Sequence, residues 1–164
     1  MRRWKTWLTG VLLLGVLGAL LAWRPWSTVS LADAAVVWPV ATHAVAPPAG
    51  KGDVMAVIVS GDGGWADLDR RLGIALIDRG VPVLGINSFK YYWRGHDPQQ
   101  TARELDALIT KHLDAWGKRR VWLIGFSFGA DVLPTITGRL SAENRARITQ
   151  MVLLSPSRDV TFEI

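Results

Sequence analysis

The chain has 164 residues, a net charge of +5 and no cysteine. That composition allows one domain at most and excludes disulfides and thiolate metal sites. The first 34 residues carry four cations, Arg2, Arg3, Lys5 and Arg24, against Asp33 alone, so without them +5 becomes +2 and nothing in the charge asks for a nucleic-acid partner.

Residues 2–5 are basic, and Trp7 to Trp23 is a run of 17 residues without a charge. As a helix it would reach about 25 Å, the short limit for crossing a bilayer. Two readings stay open. The basic start and the small-residue site Ala32-Asp33-Ala34 fit a cleaved export signal. Trp4, Trp7, Trp23 and Trp26, which bracket the run like an interfacial belt, fit a retained anchor with its cations on the N-terminal side. Either places the remainder outside the cytoplasm, exported or anchored to a membrane by residues 7–23. Residues 1–34 are therefore expected to be a signal or anchor. Residues 35–52, with Pro39, Pro47, Pro48, Gly50 and Gly52, are a linker or a loosely attached leading strand, and 53–164 form the folded domain.

From Val54 the pattern alternates between strands and helices. Val54 to Val59 is a strand, Leu68, Leu72 and Leu76 mark a helix face, and Val81 to Ile86 is the next strand. After a loop, Asp97 as N-cap and Pro98 at the first position open a helix with Ala102, Leu105, Leu108, Ile109, Leu113 and Trp116 on one face. A third strand covers Val121 to Ile124, a short helix Ser141 to Arg147, and a fourth strand Met151 to Leu154. Continuous apolar strands between amphipathic helices predict an α/β fold with a parallel sheet covered on both faces. In such a sheet reactive groups gather where the strands end.

The third strand runs into Gly125-Phe126-Ser127-Phe128-Gly129, a G-x-S-x-G pattern between a strand and a helix. In that setting Ser127 is a nucleophile on a strained turn, and the N–H of Phe128, at a helix N-terminus, faces an oxyanion. The plainer alternative is a tight turn that happens to need its glycines. The first strand runs into Ser60-Gly61-Asp62-Gly63-Gly64-Trp65, where the N–H groups of Asp62 and Gly63 are the candidate second oxyanion donors, unless Asp62 caps the next helix. No Lys-Ser/Thr follows these glycines, which argues against a phosphate loop. The second strand runs into Asn87 to Asp97, where Lys90 and Arg94 suit an anionic lipid headgroup and Tyr91, Tyr92 and Trp93 its acyl or glycerol parts; packed core is the alternative for the aromatics. Lys118-Arg119-Arg120, at the opposite pole, reads as a solvated face.

A serine nucleophile needs a base and an orienting acid. His43, His96 and His112 all precede Ser127, and only His96 lies in a loop at the correct pole. Asp159 follows the fourth strand without an evident partner, and Asp131, one helical turn past Ser127, suits steadying the elbow. The fourth strand is apolar on both faces with little sequence after it to cover its edge, so the expectation is a domain incomplete at its C-terminal edge. No metal or cofactor is expected.

Taken together, Ser60-Gly-Asp-Gly-Gly-Trp65, Tyr91-Tyr-Trp93, Leu123-Ile-Gly-Phe-Ser-Phe-Gly-Ala-Asp-Val-Leu-Pro134 and Phe162-Glu-Ile164 resemble the bacterial virulence protein VirJ/AcvB family, in order and approximate spacing, from Val54 to Ile164. The resemblance implies an α/β-hydrolase domain in the periplasm that hydrolyses the ester of aminoacylated phosphatidylglycerol, of lysyl or alanyl type. Its implied partners are that phospholipid or the membrane surface. For some members it implies virulence or type IV secretion, so the alternative is a non-catalytic partner of a secretion-system protein. By position it implies Ser127 as nucleophile and residues 60–65 as the oxyanion loop. It also implies that the family's histidine, in a Gly-Gly-His-His-Phe type segment, and its acid come after the Phe162-Glu-Ile164 position, so the 164 residues alone are expected to be inactive.

Overall fold

A computed structural model describes residues 29–39 and 52–164. The apolar run 7–23 and His43 lie outside the described residues.

The sheet has five strands in the order β1-β3-β2-β4-β5. Its centre is β2 (Val54–Val59), every residue of which is buried. Successive side chains of a strand point to opposite faces. Met55, Val57 and Val59 therefore join one core cluster, and Val54, Ala56 and Ile58 the other. β2 pairs in parallel with β3 (Val83–Ile86) on one side and β4 (Arg120–Phe126) on the other, and β4 pairs in parallel with β5 (Ile148–Leu154). The parallel sheet expected from the sequence is present, with one strand added. Ala35–Trp38 forms β1, antiparallel to β3 in the register Ala35↔Ile86 to Trp38↔Val83. An antiparallel edge strand on an otherwise parallel sheet is a common device, and Pro39 ends it.

Residues 31–34, expected to belong to the leader, pack on the domain, and 35–38, expected to be linker or a loosely attached leading strand, form its edge strand. Leu31–Ala34 is a single helical turn, α1, with Ser30 as N-cap and both Leu31 and Ala34 buried. The N–H of Leu31 donates to Glu104 Oε2 at 2.6 Å, and the carbonyl of Ala34 accepts the N–H of Asn87 at 3.0 Å.

α2 (Asp67–Ile77) covers one face of the sheet. Leu72 and Leu76 pack there, but Leu68 is 43% exposed. A strict spacing of four drifts about 40° per step on a helix, so Leu68 falls off the stripe. The buried positions are instead Asp69 and Gly73 beside Leu72, Leu76 and Ile77. Gly73 is there for space: a Cβ would lie 2.3 Å from the Trp38 ring.

The other face is covered by α1, α3 (Ser88–Tyr92), α4 (Pro98–Trp116) and α5 (Phe128–Thr137), followed by α6 (Ala142–Arg147). α4 starts as the sequence predicts: the Asp97 carboxylate accepts the N–H of Gln100 at 2.8 Å and Pro98 follows; Gly117, at φ 61°, ends it. β5 keeps Leu153 and Leu154 more than a third exposed, and among the described residues no strand pairs with its outer edge.

Candidate active site

The exit of β4 turns sharply through a serine at positive φ. Ser127 has φ 49° and ψ −119°, a region that costs a non-glycine residue about 1–3 kcal/mol. Its N–H donates to the carbonyl of Leu154 at 2.9 Å, and its carbonyl accepts the N–H groups of Ala130 and Asp131 at 2.8 and 3.1 Å. Its hydroxyl makes no bond to the helix it caps, so the oxygen is held out at the tip.

Both flanking glycines are obligatory. A Cβ on Gly125 would lie 2.6 Å from the carbonyl oxygen of Gly129, and a Cβ on Gly129 would lie 2.1 Å from that of Val59 and 2.7 Å from that of Ser60. Real Cβ contacts do not reach such distances. The second clash matters more for function, because Gly129 is where α5 rests on the end of β2 and so brings the elbow against the loop leaving that strand.

That loop folds over the elbow. Gly61 to Gly64 close a turn with Gly64 N–H donating to Gly61 O at 3.0 Å, and a Cβ on Gly61 would sit 3.5 Å from Ser127 Cβ. Gly64, at φ 76°, passes so near Asn87 and Phe89 that a side chain there would strike Asn87 Oδ1 at 2.9 Å. Beneath the turn lies a pair that the sequence does not show. Ser60 is fully buried, its Oγ accepts the N–H of Ser88 at 2.9 Å, and its carbonyl accepts the Ser88 hydroxyl at 2.6 Å. This pair ties the exits of β2 and β3 together and fixes the turn above Ser127.

The oxyanion donors need one revision. Phe128 opens α5, and an N–H in the first turn of a helix has no partner within that helix, so its candidacy stands. Gly63 N–H donates to Asp62 Oδ1 at 3.1 Å and is committed as the loop stands. Asp62 N–H and the neighbouring Gly61 N–H are better placed, since Gly61 is the loop residue that abuts Ser127. Asp62 does not cap α2. The carboxylate of Asp69 does so by accepting the N–H of Ala66 at 3.0 Å, and burial pushes the Asp69 pKa up.

The five residues expected to bind a headgroup separate. Residues 88–92 form α3, capped by Asn87 Oδ1 accepting the N–H of Lys90 at 3.0 Å. Tyr91 and Tyr92 are each 1% exposed, which corrects their assignment to a substrate surface. Tyr91 donates to Thr101 Oγ1 at 3.2 Å and stacks on His96 at 3.8 Å, and Tyr92 meets the rings of Phe128 and Phe162 edge-on. Desolvation raises both phenol pKa values far above their usual range. They are the mortar between α3, α4 and the elbow. Lys90 Nζ donates to the carbonyl of Asp33 at 2.6 Å, which ties α3 to α1. Trp93 and Arg94 lie at the surface.

No hydrogen bond joins His96 to Ser127. The His96 ring is buried against Tyr91, the backbone N–H of the same residue donates to Phe162 O at 2.9 Å, and desolvation lowers the imidazole pKa, opposed in part by Glu104. His112 is buried in α4, its Nδ1 2.8 Å from Leu108 O. Asp131 accepts the N–H and hydroxyl of Ser157 at 2.6 and 2.8 Å, so it pins the segment leaving β5 rather than a base. Asp159 takes part through its carbonyl, 2.6 Å from Ser157 Oγ. Among the described residues no cluster of His, Cys, Asp and Glu could hold a metal ion.

A surface cleft of about 460 Å³ lies elsewhere, at the opposite end of the strands, lined by Gly52, Asp53, Arg119 and Arg120. The basic run there is tied down: Arg119 and Arg120 pair with Asp53 at 3.4 and 2.5 Å, and Lys118 Nζ donates to Gly52 O at 2.6 Å. The Arg120 guanidinium holds the Asp53 carboxyl below its usual pKa. This cleft has no nucleophile.

The site therefore brings a strained serine against candidate backbone donors, with no described histidine bonded to that serine. Solved structures share the architecture. Est1E from Butyrivibrio proteoclasticus matches 74% of this chain and 46% of its own length at 16% identity and a TM-score of 0.51. A putative dienelactone hydrolase from Klebsiella pneumoniae subsp. pneumoniae MGH 78578 matches 80% of this chain and 65% of its own at 13% identity and a TM-score of 0.50. At those identities the likeness establishes the α/β-hydrolase fold, and this chain spans less than two thirds of either structure. No curated protein matches it. The model of the family described as bacterial virulence protein (VirJ) matches residues 53–164, and with the elbow and the glycine loop in place the chain belongs to that family.

Proposed function

We propose that this chain carries the nucleophilic part of a serine esterase that acts on the ester of an aminoacylated phosphatidylglycerol, of lysyl or alanyl type, at the periplasmic face of the inner membrane. The observation that carries the reading is Ser127 at φ 49°, held there by Gly125 and Gly129. Ser127 Oγ attacks the ester carbonyl, and the oxygen that becomes negative is held by the N–H groups of Phe128 and the Gly61-Asp62 turn. The glycerol oxygen leaves with a proton, and water then cleaves the aminoacyl-serine to free the amino acid. The proton on Ser127 needs a base, and none of the described histidines is bonded to it. The reading assigns that task to a group outside the described residues. The basic start and the uncharged run 7–23 support the periplasmic setting.

A non-catalytic partner in virulence or type IV secretion would fit the same family. The strain counts against it, because a binding module gains nothing from a serine held about 1–3 kcal/mol above a relaxed turn.

The test is chemical rescue. Vesicles containing lysyl- or alanyl-phosphatidylglycerol are incubated with the chain and with imidazole as an external base, and free amino acid is measured. Release above the imidazole background that disappears in Ser127→Ala supports the reading; equal release from both proteins rejects it.

A further inference from the structure

Phe89 on α3 and Trp93, the residue that caps the end of that helix, stand one helical turn apart, their ring centroids 4.8 Å apart, and they are 44% and 55% exposed. Two large aromatic rings left in solvent side by side are unusual where the same short helix buries Tyr91 and Tyr92 completely. We propose that this pair is a membrane-docking surface, which seats the mouth of the Ser127 site on the lipid–water interface of a phospholipid bilayer.

Three observations lead there. The pair lies at the rim of the site: Phe89 Cβ is 3.2 Å from where a Cβ on Gly64 would be, and the other end of that turn, Gly61, abuts Ser127. The helix is also bonded to the start of the described chain, through Asn87 N–H to Ala34 O at 3.0 Å and Lys90 Nζ to Asp33 O at 2.6 Å. Trp23, which ends the uncharged run, precedes Val29 by six positions in the sequence. Six residues reach about 20 Å at most, so any bilayer that takes up residues 7–23 is close to α1 and hence to α3. Thirdly, tryptophan and phenylalanine are the side chains that favour the headgroup boundary.

Docking that rests on the two aromatic rings rather than on charge varies little with salt. The inference deepens the lipid-ester reading above, and it is read without turnover, so the two fail separately.

The full chain is reconstituted into vesicles of phosphatidylethanolamine and phosphatidylglycerol that contain a phospholipid with a photoactivatable group near its headgroup. After illumination, lipid adducts are mapped by mass spectrometry at low and high salt. Adducts are expected on residues 7–23 and on 88–93 at both. The double variant Phe89→Ser, Trp93→Ser is expected to lose the second set, keep the first and keep its unfolding midpoint. Adducts confined to 7–23 would overturn the proposal, as would cross-links that join 88–93 to another protein chain instead of lipid.

Discussion

Two strand exits at the same end of the sheet teach different things. After β4 the chain makes an elbow whose geometry is written in its glycines. After β3 it makes a helix whose side chains are sorted by what packs on them. Gly129 has one possible conformer-compatible identity, because the backbone of Val59 occupies the place of a side chain. Tyr92 and Trp93 are neighbours of similar chemistry, yet one is 1% exposed and the other 55%. Function that depends on backbone approach is therefore local information, whereas function that depends on side-chain exposure is settled by distant partners.

Substitutions sharpen the contrast. Tyr92→Ala empties a site between Phe128 and Phe162 and is expected to cost about 3–5 kcal/mol in urea unfolding. A loss below about 1 kcal/mol would return Tyr92 to the substrate surface. Gly129→Ala forces a Cβ against two carbonyls and should cost about 3 kcal/mol while displacing the loop from the elbow.

Next comes the buried imidazole. Desolvation lowers the pKa of His96 below its unfolded value. The unfolded chain then binds the proton more readily, so this residue's contribution to stability falls as pH drops through the unfolded pKa of about 6.5 and on to the lower folded value. Comparing unfolding midpoints between pH 7.5 and 5.5, His96→Phe should lose less on acidification than the wild type. A parallel loss in both would remove His96 as a cause. Smallest of all, Trp93→Ala should shift stability by no more than about 0.5 kcal/mol, since an exposed ring has little to lose on folding.

The same contrast explains what could be read from the sequence. β2 and β4 were legible because a strand buried on both faces is a continuous apolar run, and the elbow and glycine loop because their spacing encodes a turn. β1 was legible only as one of two alternatives, linker or leading strand, since four residues before a proline carry no period; its Trp38 packs against Gly73 and against the ring of Trp65, 5.6 Å away. The buried face of α2 was misread at Leu68 because Asp69 and Gly73 occupy it. α3 was read as a loop because its cap is a side chain and its burial depends on Thr101, Phe128 and Phe162, far along the sequence. The Ser60–Ser88 pair joins residues 28 apart and has no local signature.

The central claim is that Ser127 alone is poised as a nucleophile. Its most direct test is treatment with a fluorophosphonate in the presence of imidazole, followed by mass mapping of the phosphonylated residue; fluoride leaves as the serine oxygen bonds to phosphorus. The account predicts one adduct, on Ser127, abolished by Ser127→Ala and strongly reduced by Gly129→Ala. Adducts spread over other serines, or one that survives Ser127→Ala, would contradict it.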